Sequence, residues 1–282
     1  MAISPNRAEA VRKYFTKTPT KPVDPDYSSN QTKMSIGGGL LFLALMLLFS
    51  GQGLLILLGI VAGYFGLKTL REGFSAYSKQ KKEYKEACDN YEKDYPMAEP
   101  KPSDEQIDKW MNDDIKKIID ESLRRLDLEH EDYRADPLLI GGPASLKETR
   151  YAVGRDGKIR YSYFNILIVF LTDYHVAAYQ SVNSLEHGQT LTDQTQEFPY
   201  KEITNLGTQI IKEKIQRIDE IVESESGLQE FIIATSGSNV IKVTYGFDRN
   251  TDFQGELVKI GEERTIAAIR KKLQDYKQKY EK

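Results

Sequence analysis

The sequence predicts an α+β membrane-anchored protein: an N-terminal two-helix transmembrane hairpin, a helical stalk, and a strand-rich C-terminal domain closed by a terminal helix. Three observations carry that expectation. No charge occurs from Ile36 to Leu67, and an uncharged apolar run longer than about 18 residues marks a bilayer-spanning helix. Beyond Leu70 the apolar residues recur at helical spacing, and beyond Pro137 the period becomes that of strands. The net charge of -3 lacks the basic excess of a nucleic-acid-binding domain, so no nucleic acid partner is expected.

Residues 1–33 are a polar, basic segment holding Arg7, Arg12, Lys13, Lys17, Lys21 and Lys33. The apolar run at 34–70 is too long for one crossing. More than thirty helical residues reach about 45 Å, against a hydrocarbon core of about 30 Å. Ser50, Gly51, Gln52 and Gly53 are small or polar and break the run as a turn, leaving arms from Met34 to Phe49 and from Leu54 to Leu70. Two short spans and a re-entrant hairpin both fit those arm lengths. The charges favour two spans. Lys68, Arg71, Lys79, Lys81, Lys82 and Lys85 follow the run, and the turn has no basic residue. The positive-inside rule then places both termini in the cytoplasm, as expected for an integral protein of an inner or plasma membrane. The polar N-terminus is too long, and the apolar run too extended, for a cleavable signal peptide. A solitary Cys88 agrees with a reducing compartment.

Within the arms, Gly59, Gly63 and Gly66 form a small-residue face, and Gly37, Gly38 and Gly39 lie at the same end of the other arm. Such faces let helix backbones approach closely. Packing within one hairpin and a homo-oligomer through the glycine-rich arms both satisfy the pattern. Residues 71–135 read as a stalk and linker. Leu70, Phe74, Tyr77, Lys81, Tyr84, Cys88, Tyr91 and Tyr95 alternate four and three apart, the seam of a helix that packs on another. Pro96, Pro100 and Pro102 are expected to end it. Ser103 to Gln106 is a capping box, followed by Ile107, Trp110, Met111, Ile115, Ile118, Ile119, Leu123 and Leu126 on one stripe.

Residues 136–282 read as the β-rich domain. Strands are expected at Lys147–Val153 and Lys158–Phe164 around the turn Gly154-Arg155-Asp156-Gly157. Others are expected at Ile166–Thr172, Tyr174–Gln180, Thr192–Tyr200, Leu206–Ile211, Leu228–Thr235 and Asn239–Tyr245. Ile211, Ile215, Ile218 and Val222 fit a helix equally well, so that stretch has two readings. Glu262–Tyr280 is a helix with Ile266, Ile269, Leu273 and Tyr276 on one stripe.

The stretch Phe170-Leu171-Thr172-Asp173-Tyr174-His175-Val176, followed by Phe198-Pro199-Tyr200-Lys201-Glu202-Ile203, resembles the "LT-x-x-x-V then Y-x-x-I" pattern of bacterial pleckstrin-homology-like (PH-like) domains. The resemblance covers the last half of the chain. It implies a bent antiparallel sheet or barrel plugged by the terminal helix, and a module that binds lipid headgroups, peptides or protein surfaces without catalysis. Lipid-binding members carry basic residues around the first hairpin. The corresponding residues here are Lys147, Arg150, Arg155, Lys158 and Arg160, which the resemblance makes candidates for lipid or anion binding. Lys158 and Arg160, two apart on a strand, would project to one face.

No nucleophile elbow, H-E-x-x-H, C-x-x-C or intact phosphate loop occurs, and His130, His175 and His187 show no metal-ligand spacing. A non-enzymatic role without cofactor or metal is therefore expected. The sequence points to a membrane-anchored cytosolic adaptor or scaffold with a protein or lipid-headgroup partner. A small oligomeric pore-forming or membrane-remodelling protein and an accessory subunit of a membrane enzyme complex are the alternatives.

Overall fold

Helices form at α1 (Pro5–Tyr14), α2 (Ser28–Leu48), α3 (Gly53–Ala98), α4 (Asp104–Leu126) and α5 (Glu262–Tyr280). These come from a computed structural model describing residues 5–50, 52–133, 136–212, 215–216, 221–222, 227–237, 239–247, 256–257 and 262–280. The chain divides into two units, Thr18–Met97 and Met1–Lys17 with Ala98–Lys282.

In the first unit, α2 and α3 are both long and apolar enough to cross a membrane. Their apolar side chains point outward: Phe42 is 63% exposed, Leu57 65% and Leu67 62%. The expected turn lies between the two helices, with Gly51 outside the described residues. Beyond the apolar arm α3 continues to Ala98 without a break, so arm and stalk are one helix. Pro96 lies inside its last turn, and the helix ends two residues later than the proline alone suggested. Part of the expected stalk seam is covered by the chain's own earlier segment. The Tyr27 ring lies 5.1 Å from that of Tyr77, and the Asn30 Nδ2 donates to Gln80 Oε1 at 2.8 Å.

The second unit is built on β1 (Leu138–Pro143), β2 (Tyr151–Val153), β3 (Lys158–Tyr161), β4 (Tyr163–Leu171), β5 (His175–Ser184) and β6 (Gln189–Pro199). It continues with β7 (Ile203–Lys212), β8 (Ile215–Gln216), β9 (Ile221–Val222), β10 (Gly227–Thr235), β11 (Val240–Phe247) and β12 (Glu256–Leu257). One antiparallel sheet runs β1-β4-β5-β6 and another β11-β10-β7. The β2–β3 hairpin, with β12 parallel to β3, and the β8–β9 pair are separate.

Strand β4 explains the layering. Its seven central residues are all buried, and because successive side chains point to opposite faces it must be covered on both. Phe164, Ile166, Ile168 and Phe170 face a core shared with Ile107, Met111 and Ile118 of α4 and Val11 of α1. Leu167 and Val169 face a second core containing Phe231 and Ile233 of β10, Ile241, Val243 and Tyr245 of β11, and Ile269 of α5. The two sheets thus meet across one core, and helices cover the far face of the first sheet.

Several expectations shift by small, explicable amounts. The strand expected over Lys147–Val153 is regular only from Tyr151, because the polar residues before it make the turn in which Thr149 Oγ1 donates to Ala144 O at 2.8 Å. Leu138–Pro143, to which the sequence reading assigned no strand, pairs with β4. A Cβ on Gly142 would stand 2.7 Å from Tyr245 Cα and 2.8 Å from Thr244 O, so glycine is what lets β1 cross under β11. The two-way reading around Ile211 resolves toward strand where described, in β7, β8 and β9; positions 213–214, 217–220 and 223 lie outside the described residues. Ser103 caps α4 as expected, its Oγ accepting from the Gln106 N–H at 3.2 Å. The basic N-terminal segment contains α1, whose Val11 and Tyr14, with Phe15 just after it, are buried in the first core.

Candidate functional site

The glycine face is a contact inside the hairpin. A Cβ on Gly66 would meet Gly37 O and Leu41 N at 3.0 Å, and one on Gly59 would meet Ala44 O at 3.1 Å. Gly63 sits 3.5 Å from the Ala44 side chain by the same measure, and Gly37 would strike Leu70 N at 2.7 Å. Gly38 and Gly39 have nothing within 4 Å, so only one of the three consecutive glycines packs. Gly73 extends the line, with Asn30 O at 3.2 Å. The positions 59, 63, 66 and 73 lie on one helix face, which is how backbones come this close.

The five basic residues proposed for anion binding are not gathered into a cradle. Lys147 and Arg150 are exposed ahead of β2, and the Arg150 N–H donates to Ser162 Oγ at 2.9 Å. Arg155 is exposed in the turn, its N–H donating to Asp104 Oδ2 at 2.7 Å. Lys158 is exposed, with Nζ 3.9 Å from Asp156 Oδ2. Arg160 is 2% exposed and turned into carboxylates. It donates to both oxygens of Asp108 at 2.7 Å and to both of Asp156 at 2.9 Å, and lies 3.8 Å from Asp104. Burial opposes its charge, but the hydrogen bonds to Asp108 and Asp156 outweigh that and hold it more firmly protonated than usual. Asp156 is held well below the ordinary carboxylate range, chiefly by the Arg160 hydrogen bond. This guanidinium ties the β2–β3 hairpin to α4, and three acids surround it where an anion would have to bind.

The residues of the recognised pattern do converge. Thr172 Oγ1 accepts from the N–H groups of Tyr174 and His175 at 3.2 and 3.0 Å, closing the β4–β5 turn. The buried Tyr200 hydroxyl donates to Thr172 O at 2.8 Å, and burial pushes the phenol pKa up. Val176, Tyr200 and Ile203 share the second core, where the Tyr200 ring lies 5.2 Å from that of Tyr276 on α5.

Next to that convergence lies an open groove. Strand β7 ends its sheet, so one row of its backbone groups lacks a strand partner among the described residues. A cavity of about 190 Å³ separates it from α5, lined by Ile203, Leu206 and Leu273 with Arg270, Gln274 and Lys277 at the rim. Arg270 and Lys277 are exposed, and no ion pair holds either among the described residues. The sequence showed the stripe of α5 but not which strand would lie beside its basic edge.

Sequence reasoning also missed the seat of α1. Arg7 donates to Asp114 of α4, at 3.0 Å for the Nη1–Oδ1 pair, and to Leu185 O at 2.8 and 3.1 Å. Its guanidinium lies 5.6 Å over the Trp110 ring. Arg12 Nε donates to Glu186 at 2.5 Å, and Tyr14 Oη to Asp104 at 2.8 Å. The signal was present as Arg7, Val11, Tyr14 and Phe15 at helical spacing after Pro5. The chain matches no family model, no curated protein and no solved structure.

Proposed function

We propose that this chain is an integral membrane adaptor or scaffold whose strand-rich domain is PH-like and binds a protein segment. The observation that carries the reading is the apolar belt left exposed on α2 and α3, in a chain whose other unit covers β4 on both faces. Exposed surface of that extent is stable in lipid and a liability in water. Seating of α1 with the domain, on either side of the hairpin in sequence, supports an even number of crossings, and the basic flanks support both termini in the cytoplasm. Four strands in one sheet, three in the next, and a closing helix support the PH-like reading. The Thr172–Tyr200 contact supports it as well. Fold alone does not fix a ligand, so the ligand class comes from the groove.

A strand edge and two exposed cations, all without partners among the described residues and beside an apolar floor, suit an extended, acidic segment, with backbone pairing for affinity and Arg270 and Lys277 for selection. A lipid headgroup at the β2–β3 hairpin is the weaker reading, because Arg160 already holds two carboxylates. A conducting pore between the arms is weaker too. Their backbones touch, and no Asp, Glu, Lys, Arg or His occurs from Ile36 to Leu67. The test pairs two measurements on the full chain. It should stay with membranes after carbonate extraction, and in mild detergent it should bind acidic extended peptides in a manner abolished by Arg270→Glu with Lys277→Glu. Release by carbonate would remove the anchor, and binding indifferent to the double change would remove the groove.

A further inference from the structure

The uncharged belt of the hairpin is short, and the packing of its arms fixes the height. From Met34 to the end of α2 at Leu48, and from the start of α3 at Gly53 to Leu67, each arm has about 15 residues and rises about 22 Å. The arms cannot lengthen the belt by sliding. A Cβ on Gly37 would strike Leu70 N at 2.7 Å and Gly66 O at 2.9 Å, and one on Gly59 would meet Ala44 O at 3.1 Å, contacts that hold a single register. In that register Lys33 stands beside Gly73, where an added Cβ would meet the Lys33 Cβ at 3.2 Å. Lys33, Lys68 and Arg71 therefore bound the belt within about 8 Å of one level. All three are exposed, with no ion pair among the described residues.

The other end is bounded by polar groups. Ser50 Oγ donates to Leu47 O at 2.8 Å, but the exposed Gln52 carboxamide has no partner among the described residues, and the first N–H groups of a helix have none within it. Hydrocarbon cannot satisfy such groups, so the turn has to reach water. Half of a core about 30 Å thick is about 15 Å, and a seat within one leaflet would leave the turn in hydrocarbon. Spanning an average core, the belt falls short by about 8 Å. Tilt only lowers it, and snorkelling by the three cations recovers part of the deficit. Tyr64 points the same way. It is 65% exposed, one turn before Lys68, and its hydroxyl has no partner among the described residues. Tyrosine concentrates at the membrane–water boundary, which draws that boundary toward the turn.

We propose that the hairpin selects a thin bilayer, its lipid partner being phospholipid with short acyl chains and a hydrocarbon core of about 22 to 25 Å rather than about 30 Å. This rests on the membrane-anchored reading above and adds the kind of membrane. Mismatch sorts proteins among bilayers of different thickness, so an adaptor built this way gathers its partner where the membrane is thin.

The experiment reconstitutes the full chain carrying Phe42→Trp, a position 63% exposed in the belt. The wild-type chain, whose single tryptophan is Trp110, supplies the background to subtract. Quenching by brominated dioleoylphosphatidylcholine, mixed in turn with each phosphatidylcholine from dimyristoleoyl to dierucoyl, gives relative lipid binding. Binding should be strongest for dimyristoleoyl or dipalmitoleoyl chains and fall by about threefold or more toward dierucoyl. A flat series, or one strongest at dioleoyl or longer, would overturn the proposal. Four leucines inserted after Leu48 and four after Gly53, beyond the Gly59 contact, raise the belt by about 6 Å and should move the optimum to longer chains. An optimum that stays in place would also overturn it. Carbonate extraction of the same vesicles separates the causes: a chain released from every lipid indicts the anchor and takes the proposal with it, and a retained chain with a flat series indicts thickness selection alone.

Discussion

The hairpin and the strand-rich domain dispose of apolar surface in opposite ways. In the domain, β4 is buried on both faces, and the buried Arg160 guanidinium is paired with Asp108 and Asp156. In the hairpin the large side chains Phe42, Leu57 and Leu67 face outward and the small ones face inward. Water drives large apolar groups together, whereas in lipid that drive between helices vanishes and close backbone contact takes over. The inversion is the pattern that lipid surroundings would select.

The largest expected effect breaks the domain side of the comparison. The structure puts α1 in the core of the domain, so removing residues 2–17 should destabilise the domain by more than about 5 kcal/mol, combining lost burial with a stranded carboxylate. Thermal unfolding of the solubilised chain should lose its cooperative transition while the hairpin still partitions to membranes. An unchanged transition would show α1 to be peripheral.

Arg160→Met comes next, at about 1 to 3 kcal/mol, because it removes four charge-assisted hydrogen bonds and leaves partly solvated carboxylates facing one another. Its pH signature has a definite sign. Asp156 is depressed in the folded state, so its contribution is present above the ordinary carboxylate pKa and is lost as pH falls through that range toward the folded value. The wild-type domain should weaken progressively in acid, and the variant should show a shallower acid limb in denaturant titrations.

The hairpin side is sharpened by adjacent glycines. Gly37→Leu should weaken the arm contact by about 1 to 3 kcal/mol through overpacking, while Gly38→Leu, with open space around it, should change stability by less than about 0.5 kcal/mol. Helix-to-helix crosslinking yields would register the difference. Equal effects would mean that the arms do not pack through this face. The smallest stability effect, within about 0.5 kcal/mol, is expected for Arg270→Glu with Lys277→Glu, which should instead remove acidic-peptide binding measured by fluorescence anisotropy.

How far the sequence could be read follows from how local each signal was. Helix α5 has the bounds expected from the sequence, Glu262–Tyr280, and α4 starts at its Ser103 cap. Strand β4 was visible from Ile166 onward as an apolar run because both its faces are covered, but Asn165 hid its start, and Tyr163 and Phe164 were assigned to the preceding strand. Strand β1 was hidden by Gly141, Gly142 and Pro143, residues that normally break strands. Here Gly142 is required by a backbone about a hundred positions away, a distance no local pattern conveys. The basic hairpin failed as a cradle for the same reason. Asp156 was visible four residues from Arg160, but Asp108 lies 52 positions upstream on another element. For α1 the pattern was there, yet ten residues with few apolar groups carry little periodic weight.

The central proposal is that α2 and α3 form a membrane hairpin with both termini in the cytoplasm. Single cysteines in the Cys88→Ser background test it most directly, at Ser29, Ser78 and Gln52, all exposed. In intact cells a membrane-impermeant thiol reagent should label Gln52→Cys and spare the other two until the membrane is opened. Labelling of Ser29→Cys or Ser78→Cys, but not both, would mean an odd number of crossings and would contradict the account.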